Sequence, residues 1–385
     1  MVKKIEYKNT MKQKKICILQ NGLSRGGTDT FVVNLCKGLN TNHYDITVVN
    51  PCTQQEKNVR EPEVLATGAK VLHTVDLGGT LSKIHHLFLL YRILRKGNFD
   101  VFQTNIDLFN GPNLLVAWLA GVPVRCCHSH NTMQQKALVE GLTLPICIYQ
   151  SIMKWMCWNF SNRRSGCSKD AMNFLFSDKD WQYSKYPIVI NNGIDLNLFQ
   201  NLNKTAEKKR KLGLSAKYHI VTVGRIIPQK NPLFLAQVFS ELSKTRSDVD
   251  LVWVGTGDLQ QKCEVIFKEN QCLDRVHFLG SRKDVPEILS CCDLFFMPSA
   301  FEGLGIVIIE AQAAGLNCLV SDVIPEEANC GLVQYKSLND TIESWVAELN
   351  AFLDNKKQLI LNENKLFNFS IGHMVEQMQQ LFENK

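Results

Sequence analysis

Four short stretches bring together residue types that act on phosphate and hydroxyl groups. In "VGRIIPQKNP", 223–232, Arg225 ends an apolar run and Lys230 stands just before Asn231-Pro232 and a helical pattern. Two cations beside a helix N-terminus, whose free amides carry partial positive charge, make an anion site. In "SAFEGLGIVIIEAQAAGL", 299–316, Glu302 precedes Gly303-Leu304-Gly305, and Glu310 follows where a helix is expected to begin. Acids near a helix start can be simple partners of its dipole. Beside a diphosphate they would be repelled, whereas carboxylates accept hydrogen bonds from hydroxyls well. Arg225 and Lys230 therefore read as diphosphate ligands and Glu310 as the acid for a ribose diol. Glu302, with the amides of Gly303, Leu304 and Gly305, addresses a sugar. The constellation describes a nucleotide-sugar site.

Two further stretches are weaker signals. In "NGLSRGGTDTFVVNLCKGL", 21–39, Gly26 and Gly27 open a helical pattern and let backbone approach a ligand, with Thr28 or Asp29 placed to cap. The spacing is neither a dinucleotide fingerprint nor a P-loop. "CCHSHN", 126–131, holds His128 and His130 at a strand end. They have the chemistry of metal ligands or of structural hydrogen-bonding residues. Position at the cleft rim suits a functional role as well as a structural one and does not choose between the two histidines.

These residues need a scaffold that carries several loops to one edge, and the chain alternates β-rich runs with helical patterns. Runs at 15–20, 45–50, 70–75, 100–105 and 122–128 read as one parallel sheet, and runs at 219–224, 249–255, 275–280, 293–298 and 317–322 as a second. In such sheets ligands bind beyond the carboxyl ends of the strands, where all four stretches fall. The expectation is an α/β protein of two Rossmann-like, doubly wound domains facing a cleft. The first spans 1–195 on the acceptor side and the second spans 196–367 on the donor side. A terminal helix at 368–385 packs back on the first.

Composition bounds the class. With 385 residues, 45% hydrophobic and 21% charged, the chain is long enough for two globular domains. It shows no secretory signal and no apolar run of membrane-span length, which places it in the cytoplasm. Its 14 cysteines include no CxxC pair, so neither a zinc nor a dithiol motif is spaced correctly, and they read as reduced core residues. Through Asp195 there are 23 Lys and Arg against 14 Asp and Glu, a net +9; the remainder holds 20 against 23, a net −3. No finger, RNP or helix-turn-helix signature accompanies the basic half, which speaks against nucleic acid. With the aromatic "PICIYQSIMKWMCWNFSNRR", 145–164, that half suggests a face resting on an anionic membrane surface.

The stretches "RGGTDTFVVNL", "HSHN", "NNGID", "VGRIIPQKN", "GTGDL", "CCDLFFMPSAFEGLGIVIIEAQAAGL" and "SDVIPEE" resemble, in order, those of the retaining GT-B glycosyltransferases of family 4, among them bacterial exopolysaccharide and capsule enzymes. The resemblance covers nearly the whole chain. It implies a hexosyltransferase moving a sugar from a nucleoside-diphosphate sugar, UDP before others, to a lipid-linked saccharide. Neither metal nor cofactor is required. It places Gly26 and Gly27 at the donor diphosphate, His130, or as second choice His128, near the donor sugar, Arg225 and Lys230 on the diphosphate, Glu302 on sugar hydroxyls and Glu310 on the ribose. Asp29 departs from the pattern, where many relatives carry Glu. Asp248-Val249-Asp250 looks like the DxD of metal-dependent enzymes but lies at a strand start, away from the cleft. The rival readings are a nucleotide-sugar epimerase of the same fold and a non-catalytic binding or chaperone subunit.

Overall fold

Strand β1, Lys14–Leu19, shows why the apolar runs are unbroken. Successive side chains point to opposite faces. Ile16 and Ile18 join Phe31, Val32 and Leu35 on one side, while Cys17 and Leu19 join Leu90, Leu94 and Leu114 on the other. A parallel sheet covered by helices on both faces demands this pattern. The structure, a computed structural model, describes residues 13–383 except 25, 40–42, 133–140, 177–188, 201 and 203–205.

The first sheet contains β1, β2 (Tyr44–Asn50), β3 (Lys70–His73), β4 (Val101–Thr104), β5 (Val124–Ser129) and β6 (Arg163–Gly166), in the order β3-β2-β1-β4-β5-β6. The second contains β7 (Tyr218–Val223), β8 (Val249–Val254), β9 (Val276–Gly280), β10 (Leu294–Met297), β11 (Asn317–Ser321) and β12 (Val333–Lys336), in the order β12-β11-β10-β7-β8-β9. The paired strands are parallel. Each sheet reverses direction once, between β1 and β4 and between β7 and β10. These are the points where a doubly wound sheet opens a crevice.

The ten sequence-predicted strands are present, and β6 and β12 are additions. Both are four-residue edge strands, "RRSG" and "VQYK", too short and polar to announce themselves. Strand β6 carries Arg163 and Arg164, which end the stretch read from the sequence as membrane-facing, and leaves both half-buried. Arg164 stacks 3.7 Å from the centre of the Trp158 ring and donates to the carbonyls of Trp158 and Ser161. The preceding helix, Leu144–Phe160, buries Ile146 and Cys157, packs Met153, Trp158 and Phe160 partly against the core, and leaves Leu144, Ile148, Tyr149, Ile152 and Trp155 exposed.

The cysteines of the described residues are free thiols, and all but Cys147 are buried. Asp248 pairs with Arg246 at 2.7 Å and Asp250 with His277 at 3.0 Å, at the start of β8 and far from its carboxyl end.

The chain crosses between the sheets twice, side by side. Ile194 donates its amide to the carbonyl of Phe369 at 2.7 Å. The helix Ile371–Glu383 then lays Met374, Met378, Leu381 and Phe382 against Ile16, Phe31 and Leu35 of the first sheet's core. Gly38 permits the approach: a Cβ there would lie 2.3 Å from Val375.

Candidate functional site

The loops beyond β1, β4, β7 and β10 flank the two reversal points; the glycine loop, Arg225 with Lys230, and Glu302 lie on three of them, while His128 and His130 stand at the end of β5.

After β1 the chain runs through Gly26 into the helix Gly27–Gly38, whose N-cap, Gly26, has no side-chain cap. Neither Thr28 nor Asp29 caps this helix. Asp29 turns back instead: it accepts from Gln20 Nε2 at 2.6 Å, from the Ser24 amide at 3.1 Å and from the Ser24 hydroxyl. The short acid clamps the glycine loop, and burial raises its pKa. Across the cleft Gly27 faces Ile306; a Cβ at Gly27 would lie 3.8 Å from Ile306 Cγ2.

After β7, Gly224 adopts φ +154° and leaves room for the Lys230 stem, whose Cε would lie 3.1 Å from any Cβ placed there. A short helical turn, Pro228–Lys230, presents Lys230 just ahead of the helix Pro232–Thr245. Lys230 Nζ lies 2.5 Å from Glu302 Oε1. The cation and the acid, read separately from the sequence, form one pair. Glu302 is only 6% exposed, so the pair satisfies a carboxylate that would be costly to bury alone. The two loops are also laced through their backbones, with the Ala300 amide on the Gln229 carbonyl at 2.8 Å.

Gly303 explains its own residue type. A Cβ there would lie 1.7 Å from the His130 carbonyl oxygen, so only glycine lets the loop after β10 meet the end of β5. Thr132 Oγ1 donates to the Glu302 carbonyl at 3.0 Å, and Ser168 Oγ donates to the Gly303 carbonyl. Leu304 is buried in the second core, and Gly305 takes φ +76° to open the helix Ile306–Ala313. Glu310 therefore sits in the second turn of that helix, not at its start as the sequence suggested. Burial pushes its pKa up to about 7, while the charge of Arg60, from the other sheet, pulls it down.

The two histidines are sequestered. His128 is stacked on Phe31 with ring centres 4.7 Å apart, and its Nδ1 meets Ser165 Oγ at 2.7 Å. His130 Nε2 meets Asn105 Oδ1 at 3.1 Å, an oxygen that also accepts from Gln103, so Nε2 carries the proton. Burial pushes the His130 pKa down to about 3, keeping the ring neutral, and its buried Nδ1 has no hydrogen-bond partner among the described residues. His130 is the one whose backbone meets the second domain.

Arg225 is exposed and lines an interdomain cavity of about 330 Å³ together with Asp107, Asn131 and Tyr149. Sequence reading missed Asp107, on the loop after β4, and Arg60, after β2. The loop-after-strand rule pointed to Asp107; nothing local pointed to Arg60. The geometry can hold an anion between the glycine loop and Arg225 and Lys230, with carboxylates set for hydroxyl groups beside it.

Comparison with known proteins agrees with this arrangement. The family profile described as glycosyl transferases group 1 matches residues 204–365, and glycosyltransferase family 4 matches residues 25–198. The chain is 31% identical over 343 residues to the glycosyltransferase EpsF of Bacillus subtilis (strain 168), covering 86% of each. It is 30% identical over 316 residues to the Escherichia coli UDP-Gal:alpha-D-GlcNAc-diphosphoundecaprenol alpha-1,3-galactosyltransferase, covering 77% of this chain and 78% of that one. Among solved structures, Anabaena Alr3699/HepE in complex with UDP and glucose superposes with a TM-score of 0.76 at 16% identity, over 95% of this chain and 98% of that one. Two doubly wound domains closing on a cleft, matched by these sequences across most of their length, place the chain in the group 1, family 4 glycosyltransferases with the GT-B fold.

Proposed function

We propose that this glycosyltransferase moves a hexose from a UDP-sugar to a lipid-linked saccharide in the assembly of a bacterial surface polysaccharide, with retention of anomeric configuration and without a metal. The observation that carries this reading is the Lys230–Glu302 pair beside the N-termini of two helices. Transfer breaks the anomeric C–O bond, and negative charge builds on the leaving diphosphate. Arg225, Lys230 and the helix N-termini at Gly27, Pro232 and Ile306 supply fixed positive charge for it without reorganisation. Pairing with Lys230 keeps Glu302 from repelling the phosphates, and its free acceptor sites address sugar hydroxyls. Glu310 takes the ribose diol. The acceptor hydroxyl attacks from the face the diphosphate leaves and passes its proton to a phosphate oxygen, so configuration is retained. That path has no need of the acid and base carboxylates of a glycosidase. His130, neutral and with Nδ1 free to accept, borders the sugar.

The lipid-linked acceptor is supported by the Escherichia coli relative, whose name specifies a diphosphoundecaprenol substrate. It is also supported by a surface. Trp155 is 59% exposed and Trp118 52% exposed; both lie within about 6 Å of Phe160, and Ile148 and Ile152 extend the patch along the same helix. No helix among the described residues is long and apolar enough to cross a membrane, so the contact proposed is peripheral. The test is a thermal-shift comparison of UDP, GDP, ADP and CMP, followed by turnover of the matching donors with and without EDTA and by NMR of the product's anomeric coupling. UDP stabilisation, EDTA-insensitive turnover and an α product from an α donor are the expected results.

A further inference from the structure

Glu302 is held from both domains. The carbonyls of its loop, beyond β10, are taken up in sequence. Gln229 Nε2, from within the second domain, donates to the Phe301 carbonyl at 3.3 Å. The next two carbonyls go to the first domain: Thr132 Oγ1 donates to that of Glu302 at 3.0 Å, and Ser168 Oγ to that of Gly303. Sheet register explains why two hydroxyls arrive together. Strands β5 and β6 pair with Ser129 opposite Gly166, and the Cys167 amide donates to the Ser129 carbonyl at 3.0 Å, so the residues just beyond leave the sheet side by side at its carboxyl edge. Ser168 is fully buried. Its hydroxyl accepts from the Ala171 amide at 3.1 Å, capping the helix Lys169–Leu175, which leaves its one proton for Gly303.

A trans peptide is planar, with its C=O and N–H pointing opposite ways. Fixing the carbonyls of Glu302 and Gly303 therefore fixes the direction of the Gly303 and Leu304 amides. Glu302 itself stands where the loop is handed from one domain to the other: its carboxylate is held at 2.5 Å by Lys230 of its own domain, and its backbone by Thr132 of the other. With the domains parted, Lys230 would still neutralise the acid, while the backbone that aims it would lose its anchor.

Resting on the donor reading above, we propose that Thr132 and Ser168 are positioning residues for sugar transfer: by bonding the Glu302 and Gly303 carbonyls across the cleft, they set the acid and the amides that address the donor sugar. Neither hydroxyl is left to touch the substrate. Arg225, Lys230 and Glu310, which take the nucleotide part of the donor, belong to the second domain, so the effect falls on the sugar and not on UDP.

The test compares the whole wild-type protein with Thr132→Val, which removes the hydroxyl and keeps the shape, and with Thr132→Ser, which restores it. Hydrogen exchange is followed in the peptide carrying the Gly303, Leu304 and Gly305 amides, with the protein saturated with UDP, and UDP affinity is measured by calorimetry. Slow hydrolysis of UDP-glucose, UDP-galactose, UDP-N-acetylglucosamine and UDP-N-acetylgalactosamine, with water in place of the acceptor, gives kcat and KM. In Thr132→Val the loop should exchange about two- to tenfold faster and kcat should fall by a similar factor, as for loss of one neutral hydrogen bond, with UDP affinity within about twofold. Thr132→Ser should return exchange and kcat to the wild-type level. Ser168→Ala should act in the same direction and also lower the melting temperature, because it uncaps a helix. Unchanged exchange in Thr132→Val, or a Thr132→Ser variant no better than Thr132→Val, overturns the proposal. So does a loss of UDP affinity parallel to the loss of kcat, which would make the hydroxyl a general prop of the cleft. A wild type that binds neither UDP nor any of the four donors overturns the donor reading instead, and loop exchange without nucleotide then decides whether the two hydroxyls hold the loop. Where UDP binds but none of the four is hydrolysed, the exchange arm decides alone.

Discussion

The ammonium of Lys230 lies 2.5 Å from a carboxylate oxygen of Glu302, a residue only 6% exposed. The two are one electrostatic unit, and their substitutions will not add. Lys230→Ala strands a buried carboxylate and is expected to lower both melting temperature and kcat/KM, the latter by about tenfold to a hundredfold given a charge-assisted bond of roughly 1.5–3 kcal/mol. Adding Glu302→Gln to Lys230→Ala should restore part of the stability and none of the activity. A double-mutant cycle with no coupling in melting temperature would show that the pair does not form in solution.

Glu310 and Glu302 separate on binding. Glu310→Gln should weaken UDP itself, because the ribose is common to donor and product, whereas Glu302→Gln should spare UDP and harm donor turnover. Equal loss of UDP affinity in the two variants, measured by calorimetry, refutes that division.

The pH dependence follows from the same acid. The Glu310 pKa of about 7 stands above the ordinary value, so its proton is held by the folded chain more tightly than by the unfolded one. The stabilisation from this is full at low pH and is lost as pH rises through 7. A ribose diol donates to the ionised form, so UDP affinity should move the other way, rising about tenfold between pH 6 and pH 8 as the ionised fraction grows. Arg60 is the charged group set against it. UDP's own phosphate titrates nearby, so the measured quantity is the difference between wild type and Glu310→Gln; no difference in slope removes the assignment.

Gly303→Ala forces a methyl onto the His130 carbonyl, 1.7 Å away before relaxation. Overpacking of this kind costs about 1–3 kcal/mol, and here it also parts the two domains at the sugar site. Melting temperature and turnover should both fall. Gly372→Ala, where a Cβ meets nothing within 4 Å at a helix start, should leave melting unchanged or raised.

Membrane contact, if made through the exposed aromatic patch, depends on Trp155 and Ile152 and not on the tethered Arg164. Co-sedimentation with anionic liposomes at low salt should fall in Trp155→Glu and Ile152→Glu and weaken with salt in the wild type. Wild-type protein that ignores such vesicles rules out the contact.

Much of this was legible before the fold was seen, for reasons that differ by residue. Buried parallel strands leave long apolar runs, so "KICILQ" and "VDLVWVG" declare themselves, while "RRSG" and "VQYK" at the sheet edges do not. Glycines at close approaches and paired charges on loops after strands also survive as local signals. The Lys230–Glu302 pair, 72 positions apart, forms only when β7 and β10 come together in the second sheet, and the charge of Arg60 meets Glu310 only when the two domains face each other. Asp107 stood where the loop-after-strand rule points, but its left-handed backbone is a property of geometry, invisible in "TNIDLFN".

The return of the helix Ile371–Glu383 to the first core has a consequence for biosynthesis. Ile16, Phe31 and Leu35 are covered by Met374, Met378, Leu381 and Phe382, which are synthesised long after them. At about 5–20 residues per second, the ribosome adds the roughly 190 residues after Asp195 in ten to forty seconds or so. During that interval the amino-terminal half carries an apolar groove that its own half of the chain cannot close. The carboxyl-terminal half is free to fold first, against the usual vectorial order, and a chain stalled before Ile371 would present that groove to chaperones and proteases.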